Sequence, residues 1–458
     1  MVNINRNDPC HYGSGKKYKK CCADADQQRE LVANKPGSQE SINYNPLTLF
    51  EEAEDEIEGE DLEDDDLEED EDMFDHDDDI EDSEPYEPIV TAWWDEYRSI
   101  EGLDEERAHL DKFLETHPHL VDQLGLEHET LLAMGCDYLV ADRVDEYVTF
   151  LMNLRGRFPV AYKRAAGYCD FYIISWLISK GRGSDIKNFL NYFIDEPVSH
   201  FDQFHALNIL LLAVDETDEL IPMIREAFEK SDEILELSES ESILRTWAIH
   251  LLSQYIKDDV TDSDIAQYLN DLKKNILVVA DYPADEKIAA AWKKQVREIR
   301  RPFVIWKNKF LNSRTEIQET ANAVGSNFMR YMHEGTNVSL ISARYYGDLV
   351  CVFLTSYWNK YKSRKGMFQF DEARTNEILR GMANQSFDLE CITALSTLTS
   401  LYHFAAYLYK CENLTFDGCN RLQVYCREKY VEEYPGWKQD CVEALCFATF
   451  PVVDVPNS

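Results

Sequence analysis

Four side chains near the start of this 458-residue chain are metal-ligand types: Cys10, His11, Cys21 and Cys22. Thiolate sulfur and imidazole nitrogen suit zinc, and thiolates also suit iron. Between the cysteines lie Gly13-Ser14-Gly15 and a basic run, Lys16, Lys17, Lys19 and Lys20. Glycines that can take positive φ let the chain turn sharply and aim backbone N–H groups at sulfur. Neighbouring ammonium groups favour the thiolate over the thiol. A segment this short cannot bury enough apolar surface to fold alone. A structural metal supplies what is missing, roughly 10–16 kcal/mol of apparent free energy for zinc in small finger peptides. The residues predict a small metal knuckle over residues 1–22, with Cys10, Cys21 and Cys22 as thiolate ligands and His11 as the fourth. A knuckle that holds no metal and a redox-active thiol pair are the alternatives.

The run Arg6-Asn7-Asp8-Pro9-Cys10, then Gly13-Ser14-Gly15, Lys17-Tyr18-Lys19 and Cys21-Cys22, resembles the SEC-C motif. That motif is the zinc-binding tail of the bacterial preprotein translocase ATPase SecA, and it occurs as a module on many other bacterial proteins. The family's second cysteine falls on Tyr12, which leaves three cysteines for a four-coordinate site. His11 is the replacement at hand. In extended backbone, successive side chains point to opposite sides, so His11 reaches the metal only if the backbone rearranges. Cys21 and Cys22 are also adjacent, and both positions ligate in the family. In SecA the module binds the ribosome and the export chaperone, so the resemblance implies partner binding and a bacterial, cytoplasmic protein. From the residues alone, the four lysines make a positive knob that suits RNA phosphate or an acidic protein surface. The other reading is that they only keep the knuckle soluble.

Residues 23–86 read as a linker. From Glu51 to Glu84 there are 24 acidic residues and no Lys or Arg, over half of the chain's net charge of −41. At that density like charges repel, and the few apolar residues cannot offset the entropy of ordering, which predicts disorder. A flexible chain of this length spans on the order of 40–50 Å, extended further by self-repulsion. The segment is either a solvated spacer or an internal competitor that folds back on the lysines, a contact that salt would weaken.

The remaining residues have the composition of a folded body. Apolar residues recur at helical spacing. The clearest cases are 285–301, with Ile288, Trp292, Val296 and Ile299 on one face and Pro302 beyond, and 388–410, with a stripe of Cys391, Leu395, Leu398, Tyr402, Ala405 and Tyr409. No stretch alternates with period two, so the expected class is all-α. Phe113-Leu114, Phe150-Leu151 and Phe189-Leu190 are 37 and 39 residues apart, and each precedes a proline, Pro118, Pro159 or Pro197. That period suits helical hairpins stacked as a tetratricopeptide-like α-solenoid; a non-repeating bundle is the alternative. The expected division is a repeat-like domain over 87–301 and a Cys- and Tyr-rich helical domain over 302–450. The late cysteines, Cys391, Cys411, Cys419, Cys426, Cys441 and Cys446, have irregular spacings without a C-x-x-C pair. They read as buried thiols, with a second metal site as the rival.

The start of the chain lacks the apolar core of a secretory signal, and no apolar run approaches the ~18 residues of a membrane span. Cysteines scattered without a signal suggest a reducing compartment. The phosphate-loop, H-E-x-x-H and G-x-S-x-G spacings are absent; Gly181-Arg182-Gly183 reads as a connector between helices. His117 and His119, on either side of Pro118, read as capping and solvated residues, and His200 and His205 are five apart, which does not place them on one helical face. The sequence therefore predicts a non-enzymatic adaptor. The knuckle would dock to ribosome, chaperone, preprotein or nucleic acid, and the body would hold a second protein. The rival is an enzyme or toxin-like effector whose activity lies in the body, with the knuckle as a targeting tag.

Overall fold

Three prolines punctuate the first part of the body, and the backbone before each one is the same. His117, Phe158 and Glu196 have φ, ψ of −132°, 47°; −130°, 62°; and −133°, 55°. A proline ring clashes with a helical conformation of the residue before it, so each helix stops there. A computed structural model describes residues 88–447, apart from 232, 237–239, 255–260, 273, 275–310, 312, 337, 362–366 and 384–389. The knuckle, the acidic linker and the helix expected at 285–301 lie outside the described residues.

The first elements are α1 (Pro88–Tyr97) and α2 (Leu103–Thr116), a 3-10 turn at Pro118–Gln123 and a π-turn at Leu126–Leu131. Then come α3 (Leu132–Val140), α4 (Val144–Arg157), α5 (Pro159–Arg164) and α6 (Ala166–Ser179). A 3-10 turn (Gly183–Phe189) leads to α7 (Asn191–Asp195), α8 (Phe201–Ala213) and α9 (Leu220–Lys230). After a short 3-10 turn (Glu233–Glu236) follow α10 (Ser240–Ser253) and α11 (Asp262–Leu272). The last set is α12 (Arg314–Thr336), α13 (Leu340–Tyr361), α14 (Glu372–Ala383), α15 (Glu390–Lys410), α16 (Phe416–Asp440) and a 3-10 turn at Val442–Phe447. The protein is all-α, with no strand among the described residues.

The Phe-Leu period is visible in part. Phe113-Leu114 and Phe150-Leu151 are buried on α2 and α4, and Pro118 and Pro159 open the next element. Phe189-Leu190 instead falls at the end of a 3-10 turn. The packing also departs from a solenoid, in which each unit touches only its neighbours. The helix α3 packs on α16, α6 on the 3-10 turn at Val442–Phe447, and both α8 and α10 on α13. The reason lies in α6 and α8, which are apolar around almost their whole circumference. Most of α6 from Ala166 to Ile174 is buried, as is most of α8 from Phe201 to Ala213. A helix without a polar face needs cover on every side, and helices from the far end of the chain provide it.

The join is also polar. Asp215, in the left-handed region at φ 61°, accepts from the Ser339 N–H with both carboxylate oxygens at 3.1 Å. Ser339 Oγ accepts from the Ser342 N–H at 3.2 Å. Donors at the start of α13 that no helical carbonyl can reach are thus satisfied. Tyr346 Oη donates to the Ala213 carbonyl at 2.6 Å, fastening the same end of α13 to the end of α8. At the π-turn, the Leu131 carbonyl accepts from Tyr147 Oη at 2.6 Å and from Tyr168 Oη at 3.2 Å.

The helices α12 and α13 cross at close range. A Cβ placed on Gly325 would lie 2.8 Å from the Gly347 carbonyl oxygen, and one on Gly347 would lie 2.9 Å from that of Gly325. The obstacle in each case is backbone, which cannot rotate away. Gly325→Ala and Gly347→Ala are each expected to cost about 1–3 kcal/mol, the usual price of overpacking. Gly156→Ala on α4, where an added Cβ meets nothing within 4 Å, is expected to stabilise by about 0.5–1 kcal/mol. Urea denaturation of the three variants measures this, and equal effects at all three would contradict the close crossing.

Candidate metal centres

The residues singled out at the start of the chain, Cys10, His11, Cys21, Cys22, Lys16, Lys17, Lys19 and Lys20, all lie outside the described residues. The described thiols divide into two kinds. Cys411, Cys419 and Cys426 are buried. Burial pushes the Cys411 thiol up to about 11 and raises those of Cys419 and Cys426 as well. These behave as small apolar side chains and are poor nucleophiles.

Cys391, Cys441 and Glu443 are different. One ligand atom from each lies within 4.8 Å of the other two, and no histidine joins such a group among the described residues. Cys391 is the second residue of α15 and only 2 % exposed. Cys441 caps α16 in extended backbone, φ −136°, ψ 127°, and Glu443 sits in the first turn of the following 3-10 turn. Cys441 and Glu443 are half-buried. A hydrogen bond with Cys441, together with burial, pushes the Cys391 thiol up. The neighbouring Cys446 donates from Sγ to the Ser175 carbonyl at 3.2 Å, which ties the last turn to α6. The sequence reading missed this grouping because Cys391 and Cys441 are fifty positions apart. The available signal was the hairpin: α15 and α16 pack side by side, so the first residues of one lie near the last residues of the other.

Among the late tyrosines, Tyr331, Tyr346 and Tyr357 are buried and serve packing. Tyr409 departs from the expected stripe and is exposed, with its ring 5.9 Å from that of Phe416. Phe416, Val424 and Val431 on α16 are 66, 41 and 69 % exposed. Spacings of eight and seven put them on one side of the helix, with the exposed Asn420 and Arg427 between them.

Among the described residues, no histidine joins a metal-binding group. His117 caps α2, His205 stacks on Phe201, and His200 is buried, its pKa lowered by burial. Gly181, at φ 68°, turns the chain out of α6, as a connector should.

Comparison with known families supports the first centre. The family model described as the SEC-C motif matches residues 6–24. No curated protein and no solved structure matches the chain. The motif marks a metal-binding, interaction-type module; the matched residues are a small part of the chain. Among the described residues, no helix is long and apolar enough to cross a membrane.

One buried carboxyl stands apart from the thiols. Asp170 on α6 is 0 % exposed. It accepts from Tyr162 Oη, and its Oδ1 lies 3.9 Å from Arg155 Nη1. Its Oδ2 has no hydrogen-bond partner among the described residues. Burial pushes its pKa up to about 7, against the opposing pull of the Tyr162 hydrogen bond and the Arg155 charge. The folded state therefore holds this proton more tightly than the unfolded state. The resulting stability is complete below about pH 4 and is lost as pH rises through about 7. Between pH 5 and pH 8, Asp170 is expected to remove about 3 kcal/mol. Urea unfolding at the two pH values should show this loss reduced in Asp170→Asn. An identical pH dependence in the variant would mean that other groups set it.

Proposed function

We propose that the chain is a metal-stabilised adaptor, without a catalytic step of its own, that joins two partners in the cytoplasm. The observation that carries this reading is the SEC-C match over residues 6–24, a stretch that also holds four lysines. Cys10, Cys21 and Cys22, with His11, would hold zinc or iron, which would fix the turn in a chain too short to fold unaided. Lys16, Lys17, Lys19 and Lys20 would then present a positive surface to an anionic partner. Ribosomal RNA is the partner favoured by the charge pattern, and an acidic chaperone surface is the second choice. The body would hold a second protein. Joining two weak contacts through one chain raises the second by effective concentration.

Sedimentation with ribosomes over a salt series tests the first contact. The full chain is expected to co-sediment at low salt. With four phosphate contacts, log K should fall against log salt with a slope of about −3. Deletion of residues 1–22 should abolish binding. Cys21→Ser/Cys22→Ser should lower bound metal by one equivalent and weaken binding. Ribosome binding that survives the deletion, or that ignores salt, would overturn the reading of the lysine surface.

A further inference from the structure

We propose that Cys391, Cys441 and Glu443 form a second metal site, separate from the amino-terminal motif, that takes a borderline-soft divalent cation of the zinc class. The donor set is two thiolates and one carboxylate. Donor atoms on a tetrahedral zinc lie roughly 3.3–3.8 Å from one another, given bonds of about 2.0–2.3 Å. Ligand atoms within 4.8 Å of one another need only small side-chain adjustments to close on an ion. Two sulfurs and one oxygen match zinc better than magnesium or calcium, which prefer all-oxygen shells. With three protein ligands, the fourth position falls to water or to an exogenous ligand, and the partial exposure of Cys441 and Glu443 leaves it a path.

The fold explains why the three residues converge. The hairpin of α15 and α16 returns the chain so that the end of α16 faces the beginning of α15. Cys391 sits in the first turn of its helix, and its thiolate would form on metal binding, since a coordinated thiol gives up its proton. Cys441 and Glu443 flank the junction between α16 and the last 3-10 turn. A second feature is the sequence just before the junction. Pro435 and Gly436 lie inside α16, one turn before Cys441. Proline removes a helical hydrogen bond, and glycine is among the poorest helix formers. A cation held by Cys391 and Cys441 fastens the end of α16 to the start of α15. It thereby holds the 3-10 turn at Val442–Phe447 against α6, where that turn buries Val442, Ala444 and Phe447. The site is a clasp for the end of the folded body, not a catalytic centre.

The experiment uses the full chain with Cys10→Ser, Cys21→Ser and Cys22→Ser, which removes the amino-terminal thiolates. Elemental analysis after zinc loading and desalting is expected to find one equivalent. Cobalt loading should give thiolate-to-cobalt charge-transfer absorption and the visible bands of a four-coordinate ion. Chelation should speed hydrogen exchange in residues 390–394 and 437–447 and leave α12 unchanged. Further substitution of Cys441→Ser should abolish the equivalent. Glu443→Gln should weaken affinity by at least about tenfold, the low end of what losing even an outer partner costs. Cys441 and Glu443 are half-buried, so both variants are expected to keep the far-ultraviolet circular dichroism of the parent. If they do not, the cobalt spectrum of the parent decides alone. No metal in the parent, a cobalt spectrum lacking thiolate bands, or a Cys391–Cys441 disulfide in place of metal would each overturn the proposal. Failure of the amino-terminal site would appear separately, as unchanged metal content between the natural sequence and the triple variant.

Discussion

The contact between Gly325 and Gly347 sets the position of α13, and α13 sets most of the rest. Each glycine would place a Cβ within 3 Å of the other's carbonyl oxygen, so the two helices meet backbone to backbone. Contacts between side chains can relax by changing rotamers; this one cannot. The helix it positions packs on α8, α10, α14 and α15. Just before its first turn, Ser339 bonds Asp215, more than a hundred residues earlier in the chain, and accepts from the Ser342 N–H. The polar stitch at one end of α13 and the glycine contact along its length fix it in both register and depth. The placement of α15, and of Cys391 at its start, follows from that.

Cysteine in this body has two fates, decided by position along a helix. Cys419 and Cys426 lie within α16 and Cys411 just beyond α15. They are enclosed by apolar neighbours, and their protons are held firmly. Cys391 is as buried as they are, but it lies where a helix begins and faces Cys441 and Glu443. The chemistry of the thiol is the same in both cases. The difference is whether other donor atoms stand beside the sulfur.

The class of fold was legible because helical periodicity is local. The burial of Leu395, Leu398, Tyr402 and Ala405 on α15 follows directly from their spacing. So were the proline breaks, since the clash before a proline depends on one neighbour alone. What the spacing could not carry was the choice of partners. The Phe-Leu period suggested neighbour-to-neighbour stacking, but α6 and α8 are apolar all round, and that demand was met by α13, α15 and the last 3-10 turn. The same limit hid the Cys391 cluster, whose members meet only through the hairpin. Tyr409 continued a stripe on paper; the turn at Glu412, in the left-handed region at φ 54°, ends the helix beside it, and its ring meets Phe416 at the surface. The amino-terminal motif is the opposite case, since its spacing is its whole content.

The π-turn at Leu126–Leu131 has a consequence for how the chain can vary in length. A turn with one residue more than an α-turn rotates everything after it by about 100°. The carbonyl of its last residue, Leu131, accepts from two tyrosine hydroxyls, on α4 and α6. Removing a single residue there would restore ordinary helical geometry locally, yet turn the buried face of α3, with Met134 and Tyr138, away from α2 and α4. Loops in a helical protein usually absorb insertions and deletions. Here a helix start behaves as a phase setting, in which the number of residues matters to the packing of everything that follows.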